Sequence, residues 1–370
     1  MVLPVRSFIF CGLVILAAAA AAESGIRTET IADGLDHPWS LTFLPDGDLL
    51  VTERPGRLRR ITDGRLQAEA IVGVPEVFVE SQAGLFDVVL HPDFESNRWI
   101  YLSFAHGTAQ ANATRVVRAR LEGNRLHDLE ILFTATPWKN TPVHFGGRMA
   151  WLPDGTLVIG LGDGFDFREQ AQRLSSHLGS IVRIHADGSI PADNPFVGHE
   201  DALPEILSYG HRNIQGLAFD SSTETLWQHE HGPRGGDELN RIMPGKNYGW
   251  PIATRGIDYS GARVSPYRSR PGMIEPIHGW TPSIAPSGLA MHSGARFGAW
   301  NGDLLVSTLV AHELVRLELQ DGAVIAEHVL LDEIDQRLRD VRVAPDGSII
   351  VLTDNNPGRV IRLLPAESAQ

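Results

Sequence analysis

The sequence predicts an all-β fold, a six-bladed β-propeller with long loop insertions on its ligand-binding face. Three features carry that expectation. A strand–turn–strand phrase recurs, its copies are spaced at blade length, and no amphipathic helical pattern runs beyond about a dozen residues. The clearest copies are Leu41 to Thr52 around Pro45-Asp46-Gly47, Met149 to Leu161 around Pro153-Asp154-Gly155, and Val341 to Thr353 around Pro345-Asp346-Gly347. Proline presets the first turn angle, aspartate bonds the backbone ahead of it, and glycine takes the positive φ that closes the turn. Degenerate copies lie at Val88 to Phe104, Leu217 to Gln228 and Ala299 to Thr308. A spacing of roughly 45 to 80 residues suits one propeller blade plus insertions, and is too long for a solenoid. The longest insertions are Gly162 to Ser176 and Arg234 to Pro276. Loops at one end of such a channel make the usual ligand site.

Residues 1–22 read as a cleavable secretory signal: Arg6, an apolar run from Phe8 to Ala19, then Ala20-Ala21-Ala22. Cys11 is the only cysteine and lies inside that run, so the mature domain, residues 23–370, has neither disulfide nor thiol chemistry. Its location is expected to be periplasmic or secreted. Removing the signal deletes only Arg6, leaving a net charge of about −14. An acidic surface without basic runs argues against nucleic acid as a partner, and no second apolar stretch is long enough for membrane insertion.

The chemistry-bearing residues lie in loops. Thr141 to Arg148 places His144 beside two glycines and an arginine. A loop histidine with small neighbours can face a cavity and act as a general base, or it can be bonded within a turn. Arg212, Arg337 and Arg339 each stand just before a strand. Any one of them reads as a surface ion pair. Gathered about one axis, they imply a ligand with several carboxylates or phosphates.

Eight phrases run in order over nearly the whole mature chain: His37-Pro38-Trp39, Gln82-Ala83-Gly84-Leu85, His144 to Arg148, Gly210 to Asn213, Glu230 to Pro233, Gly236-Asp237-Glu238, Asn247 to Pro251 and Arg337 to Asp340. With them the chain resembles the soluble quinoprotein glucose/sorbosone dehydrogenase family, in its aldose sugar dehydrogenase branch. The resemblance implies pyrroloquinoline quinone (PQQ), a tricarboxylate, with calcium over the central channel. It also implies an aldose substrate oxidised at C1 to a lactone.

Carried over by position, His144 matches the general base that takes the anomeric hydroxyl proton while the C1 hydride passes to the quinone. Arg212 matches the residue beside the quinone oxygen, and Asp163 would orient His144. Gln82, Asn213, Arg337 and Arg339 match cofactor ligands, with Tyr259 near the cofactor. Gly232 and Pro233 match carbonyl ligands of a catalytic calcium; Glu238 and Tyr248 match a second, structural calcium site. One departure stands out. Some relatives place a lysine on the cofactor near Thr308 to His312, and this chain has none there; His312 could replace part of that charge, which the sequence alone does not decide.

Other readings were weighed. His229 and His231 share a strand face and could take zinc, but no third ligand is near. Gly160 to Gly164 faintly resembles a dinucleotide loop without its third glycine. L-sorbosone or another aldehyde or sugar as substrate, and a non-catalytic propeller binding module, remain alternatives. An external electron acceptor and a monomer or homodimer complete the expectation.

Overall fold

The computed structural model describes residues 25–366, so the signal segment lies outside the described residues. Six four-stranded antiparallel sheets follow one another along the chain. Blade 1 runs from Pro38–Phe43 to Arg65–Leu66, blade 2 from Leu85–Leu90 to Arg125–Thr134, and blade 3 from Gly146–Trp151 to Ile206–Tyr209. Blade 4 runs from Ile214–Asp220 to His278–Trp280 and blade 5 from Pro286–Met291 to Ala323–Leu331. Blade 6 is completed from both ends of the chain. Its inner strands are Leu338–Val343, Ile349–Thr353 and Gly358–Pro365, and its outermost strand is Ile26–Leu35, with Ile26 opposite Pro365. The first strands of the six blades contact one another in a closed ring, which is the β-propeller the sequence predicts.

Six apolar clusters fill the six gaps between neighbouring blades. Leu50 and Leu58 of blade 1 meet Leu85 and Phe104 of blade 2, and Leu41 and Val51 meet Ile350 and Leu352 of blade 6. Burying each such side chain contributes about 1.5–3 kcal/mol. A blade is therefore apolar on both faces and depends on both neighbours.

The turns form as their chemistry requires. Asp154 Oδ1 accepts the Thr156 N–H at 2.9 Å and Asp346 Oδ1 the Ser348 N–H at 3.0 Å, with Gly155 at φ 77° and Gly347 at φ 80°. The fifth hairpin corrects the sequence reading. Gly298–Trp300 is a 3-10 turn, not a strand start, and the inner strand is Pro286–Met291. Its Gly288 reads as a weak strand former, yet a Cβ there would sit 2.5 Å from the Val341 nitrogen of blade 6. Among the described residues no helix is long and apolar enough to cross a membrane.

All six inner strands share one irregularity. Each loses register with its second strand near its start, between Pro38 and Ser40, Leu85 and Val88, Gly146 and Met149, Ile214 and Gly216, Pro286 and Leu289, and Leu338 and Asp340. A bulge re-aims the side chains beside it. These six bulges lie at one end of the ring, where the loop residues of interest converge. Farther along the channel, Arg148 pairs with Asp340 at 3.0 Å and Arg342 with Asp87 at 3.1 Å, which links blades 2, 3 and 6.

Candidate active site

His144 and Asp163 meet at the entrance to blade 3. His144 Nδ1 lies 2.7 Å from Asp163 Oδ1, and both side chains are buried. The other carboxylate oxygen accepts the Trp250 indole N–H at 2.7 Å. A carboxylate on Nδ1 fixes the proton there, and among the described residues Nε2 has no hydrogen-bond partner. The histidine backbone sits at φ 53°, a left-handed conformation costing on the order of 1–3 kcal/mol. Two contacts hold it: Gln82 Oε1 accepts the His144 N–H at 2.9 Å, and Gly162 passes so close that a Cβ would lie 2.2 Å from the His144 carbonyl. Burial pushes the imidazole below its ordinary pKa, opposed by the Asp163 hydrogen bond and reinforced by Arg212 and Lys139. A neutral imidazole with a bare Nε2 is what a proton acceptor requires.

Nε2 serves a cavity of about 300 Å³. His144, Asp163 and Arg212 form its inner end, Phe165, Trp250 and Tyr259 its aromatic walls, and Asp166, Arg168 and Asp258 its polar rim. The loop after Gly162 and the loop after Arg234 both contribute, as expected of insertions on one face. Phe165 stands edge-on to His144 at 5.0 Å and stacks on Tyr259 at 6.4 Å. Arg212 donates to the His231 and Gly232 carbonyls at 3.0 and 2.6 Å, with Trp250 5.3 Å from its guanidinium.

A second cavity, about 170 Å³, lies directly behind the first. Trp39, Phe86 and Phe145 line it with rings 5.4 and 5.5 Å apart, and Gln82, Asn213 and Gln215 offer amides. Arg54, Arg337 and Arg339 surround the single carboxylate of Asp354. Burial alone would raise the pKa of Asp354, but the three guanidiniums draw it down to about 2. Arg339 is buried and its Nε has no partner. Aromatic side chains under a cationic rim suit a flat polyanion, so the residues present fit PQQ.

The calcium positions differ from each other. Glu238 faces Glu230 across paired strands, and burial together with the Glu230 charge pushes its carboxyl up to about 8. Asn240 Oδ1 beside them is buried without a partner. Two crowded carboxylates and an orphaned amide oxygen fit a hard cation. Tyr248 cannot bind through its hydroxyl, which donates to the Arg241 carbonyl and accepts the Met243 N–H; its carbonyl is the oxygen it can offer. Gly232 and Pro233 would contribute two carbonyls, that of Gly232 already accepting from Arg212, and the Gly235 and Gly236 carbonyls pack against Gly232. Among the described residues no cluster of three or more His, Cys, Asp or Glu could hold a metal. His229 and His231 point their Nε2 atoms at the Gly288 and Pro286 carbonyls of blade 5, which removes the zinc reading.

The structure thus brings His144, Asp163, Arg212 and Tyr259 to the first cavity, and Gln82, Asn213, Arg337 and Arg339 to the second. His312 joins neither; it pairs with Asp335 at 3.3 Å on the outside, so it is no substitute for the missing lysine. Sequence reasoning missed Arg54, Asp354, Phe165 and Lys139. Lys139 is buried behind the histidine loop, with Nζ 2.9 Å from Asn112 Oδ1 and 3.4 Å from the Phe145 ring centre. Trp39 and Trp250 stood in quoted phrases and carried the signal that could have placed them.

The Glucose / Sorbosone dehydrogenase family model matches residues 35–362. Aldose sugar dehydrogenase YliI of Escherichia coli is 39% identical over 367 residues, covering 97% of this chain and 99% of that protein. The apo-form crystal structure of the soluble aldose sugar dehydrogenase of Escherichia coli superposes with a TM-score of 0.89 over 92% of this chain and 99% of its own. The PQQ-bound aldose sugar dehydrogenase of Streptomyces coelicolor, 31% identical, does so at 0.76 over 92% and 98%. The six-bladed ring agrees with these matches: the chain belongs to the glucose/sorbosone dehydrogenase family and is an oxidoreductase of the sugar dehydrogenase type.

Proposed function

We propose that this protein oxidises aldose sugars at C1 to lactones with PQQ as its cofactor, His144 as the general base and an external electron acceptor. The observation that carries this reading is the shared wall between the two cavities. His144 opens on the first and Phe145 on the second; Arg212 opens on the first and Asn213 on the second. Consecutive residues therefore place a proton acceptor on one side and a flat, cationic pocket on the other. Gln82, Asn213, Arg337 and Arg339 would hold the tricarboxylate, with Tyr259 near it in the adjoining cavity, and the group when bound would supply a two-electron acceptor for the C1 hydride. His144 Nε2 takes the anomeric hydroxyl proton, Asp163 stabilises the imidazolium that forms, and Arg212 meets negative charge developing at the reacting oxygens. Calcium is proposed at two separate positions, a structural one at Glu238 and Tyr248 and a catalytic one at the Gly232 and Pro233 carbonyls near the reaction centre. The mature domain, residues 23–370, is proposed to be periplasmic or secreted after loss of the signal segment.

The test is reconstitution. Purified apo-protein should gain dye-linked aldose dehydrogenase activity with PQQ and calcium, and none with NAD. Full activity with NAD alone would overturn the reading.

A further inference from the structure

We propose that Arg54 is a third guanidinium anchor for the carboxylates of the flat ligand, beside Arg337 and Arg339. The proposal rests on the PQQ reading above. Arg54 follows the second strand of blade 1, Leu49–Glu53, and its backbone is fixed from both sides. Its N–H donates to the His37 carbonyl at 3.0 Å, its own carbonyl accepts the Leu85 N–H at 3.0 Å, and a Cβ on Gly84 would lie 2.3 Å from that carbonyl. The side chain lines the second cavity together with Arg337, Arg339 and Asp354.

Charge makes the case. Three guanidiniums line that cavity against one carboxylate, Asp354, leaving an excess of two positive charges. Asp354 Oδ2 is taken by Arg339 at 2.5 Å and by Arg337 at 3.4 Å, and among the described residues Arg54 makes no hydrogen bond to Asp354. Of the Arg54 donors, Nη1 alone is engaged, on the Ser81 carbonyl; Nε and Nη2 have no protein partner among the described residues. The buried Arg339 Nε is likewise unpartnered. A ligand carrying two or more negative charges completes this set, and planar forks match carboxylates in pairs. His312 contributes nothing here, being turned outward onto Asp335.

The alternative role for Arg54 is a staple that holds the Ser81–Gln82 loop through one neutral contact. Salt separates the two, because only a charge–charge contact is screened. Apo-protein and its Arg54→Gln and Arg54→Lys variants would be titrated with PQQ by equilibrium dialysis, with calcium saturating, at low and at high ionic strength. We expect Arg54→Gln to weaken PQQ binding roughly ten- to a hundredfold at low salt. The gap should narrow at high salt, and Arg54→Lys should recover part of the affinity. An unchanged Kd in Arg54→Gln overturns the proposal, as does a loss of equal size at both ionic strengths. Wild-type apo-protein that binds no PQQ would instead overturn the cofactor reading itself.

Discussion

Trp250 donates its indole N–H to Asp163 at 2.7 Å from a loop 87 residues further along the chain. That contact, with the His144 ring and the Phe165 N–H on the other oxygen, commits both oxygens of one buried carboxylate. The imidazole is therefore held in one tautomer and one orientation by two blades rather than by its own loop. Such support keeps a base aligned within the small tolerance that proton transfer allows.

Replacing His144 by Gln should lower turnover by about two or more powers of ten, the range for a lost proton acceptor, while PQQ affinity stays close to wild type. Steady-state kinetics paired with a PQQ titration would read both. A variant that keeps most of the wild-type turnover would make His144 a structural residue only.

With His144 as the base, Lys139 is expected to influence the acid limit of activity. Burial draws its ammonium down to about 7, with Asp163 opposing, so it is charged on the acid side, where it and Arg212 disfavour protonation of His144. Removing that charge stabilises the imidazolium, raises the pKa of His144 and moves the acid limb of kcat to higher pH. Lys139→Met should show this shift in a pH–rate profile. A limb that stays in place, or moves to lower pH, contradicts the assignment.

At Glu238 the expectation concerns stability. Calcium should raise the melting temperature of the wild-type protein by binding the folded state; a concentration of about 100 times its Kd adds roughly 2.7 kcal/mol. Glu238→Ala should abolish that rise and leave turnover at saturating PQQ largely intact. Thermal unfolding with and without calcium decides it, and an undiminished rise in the variant would remove Glu238 from the site.

Substrate choice should be broad. Phe165 and Tyr259 are both exposed and form an apolar wall on which the C–H face of a pyranose can lie. Phe165→Ala should raise KM about three- to tenfold for several aldoses alike, with kcat little changed, as expected when a stacking contact of about 0.5–1.5 kcal/mol is lost. A panel of aldoses and sorbosone measured with wild type and variant would test this. A wild-type preference above roughly a hundredfold for one sugar, or sorbosone as the sole good substrate, would refute the broad pocket.

The repeating turns were legible because Pro-Asp-Gly encodes its geometry locally. His144, Arg212, Arg337 and Arg339 were legible because polar residues beside glycine in loops have few structural reasons to be there. Arg54 was not: Thr52-Glu53-Arg54-Pro55-Gly56 reads as an ordinary strand end and turn, and only the ring brings it opposite Arg339. The role of His312 was left open for the same reason in reverse, since sequence proximity to the site does not reveal that its side chain pairs with Asp335. The fifth hairpin was misplaced because Pro286-Ser287-Gly288 lacks strand propensity; the close passage of blade 6 demands the glycine.

The completion of blade 6 by the outermost strand Ile26–Leu35 places the two described ends together, the Ala366 N–H on the Gly25 carbonyl at 2.7 Å. Topologically residues 25–366 make almost a circle, cut at one point on its circumference. Loss of the first strand would bare the edge of Gly358–Pro365, an apolar strand ready to pair with another molecule. The same geometry makes the ring a late event in folding, because its closing pairs join the opposite ends of the chain. A version joined through its present ends and cut at the Asp220 turn of blade 4 would keep every strand pair, and would move the vulnerable edge to a different blade.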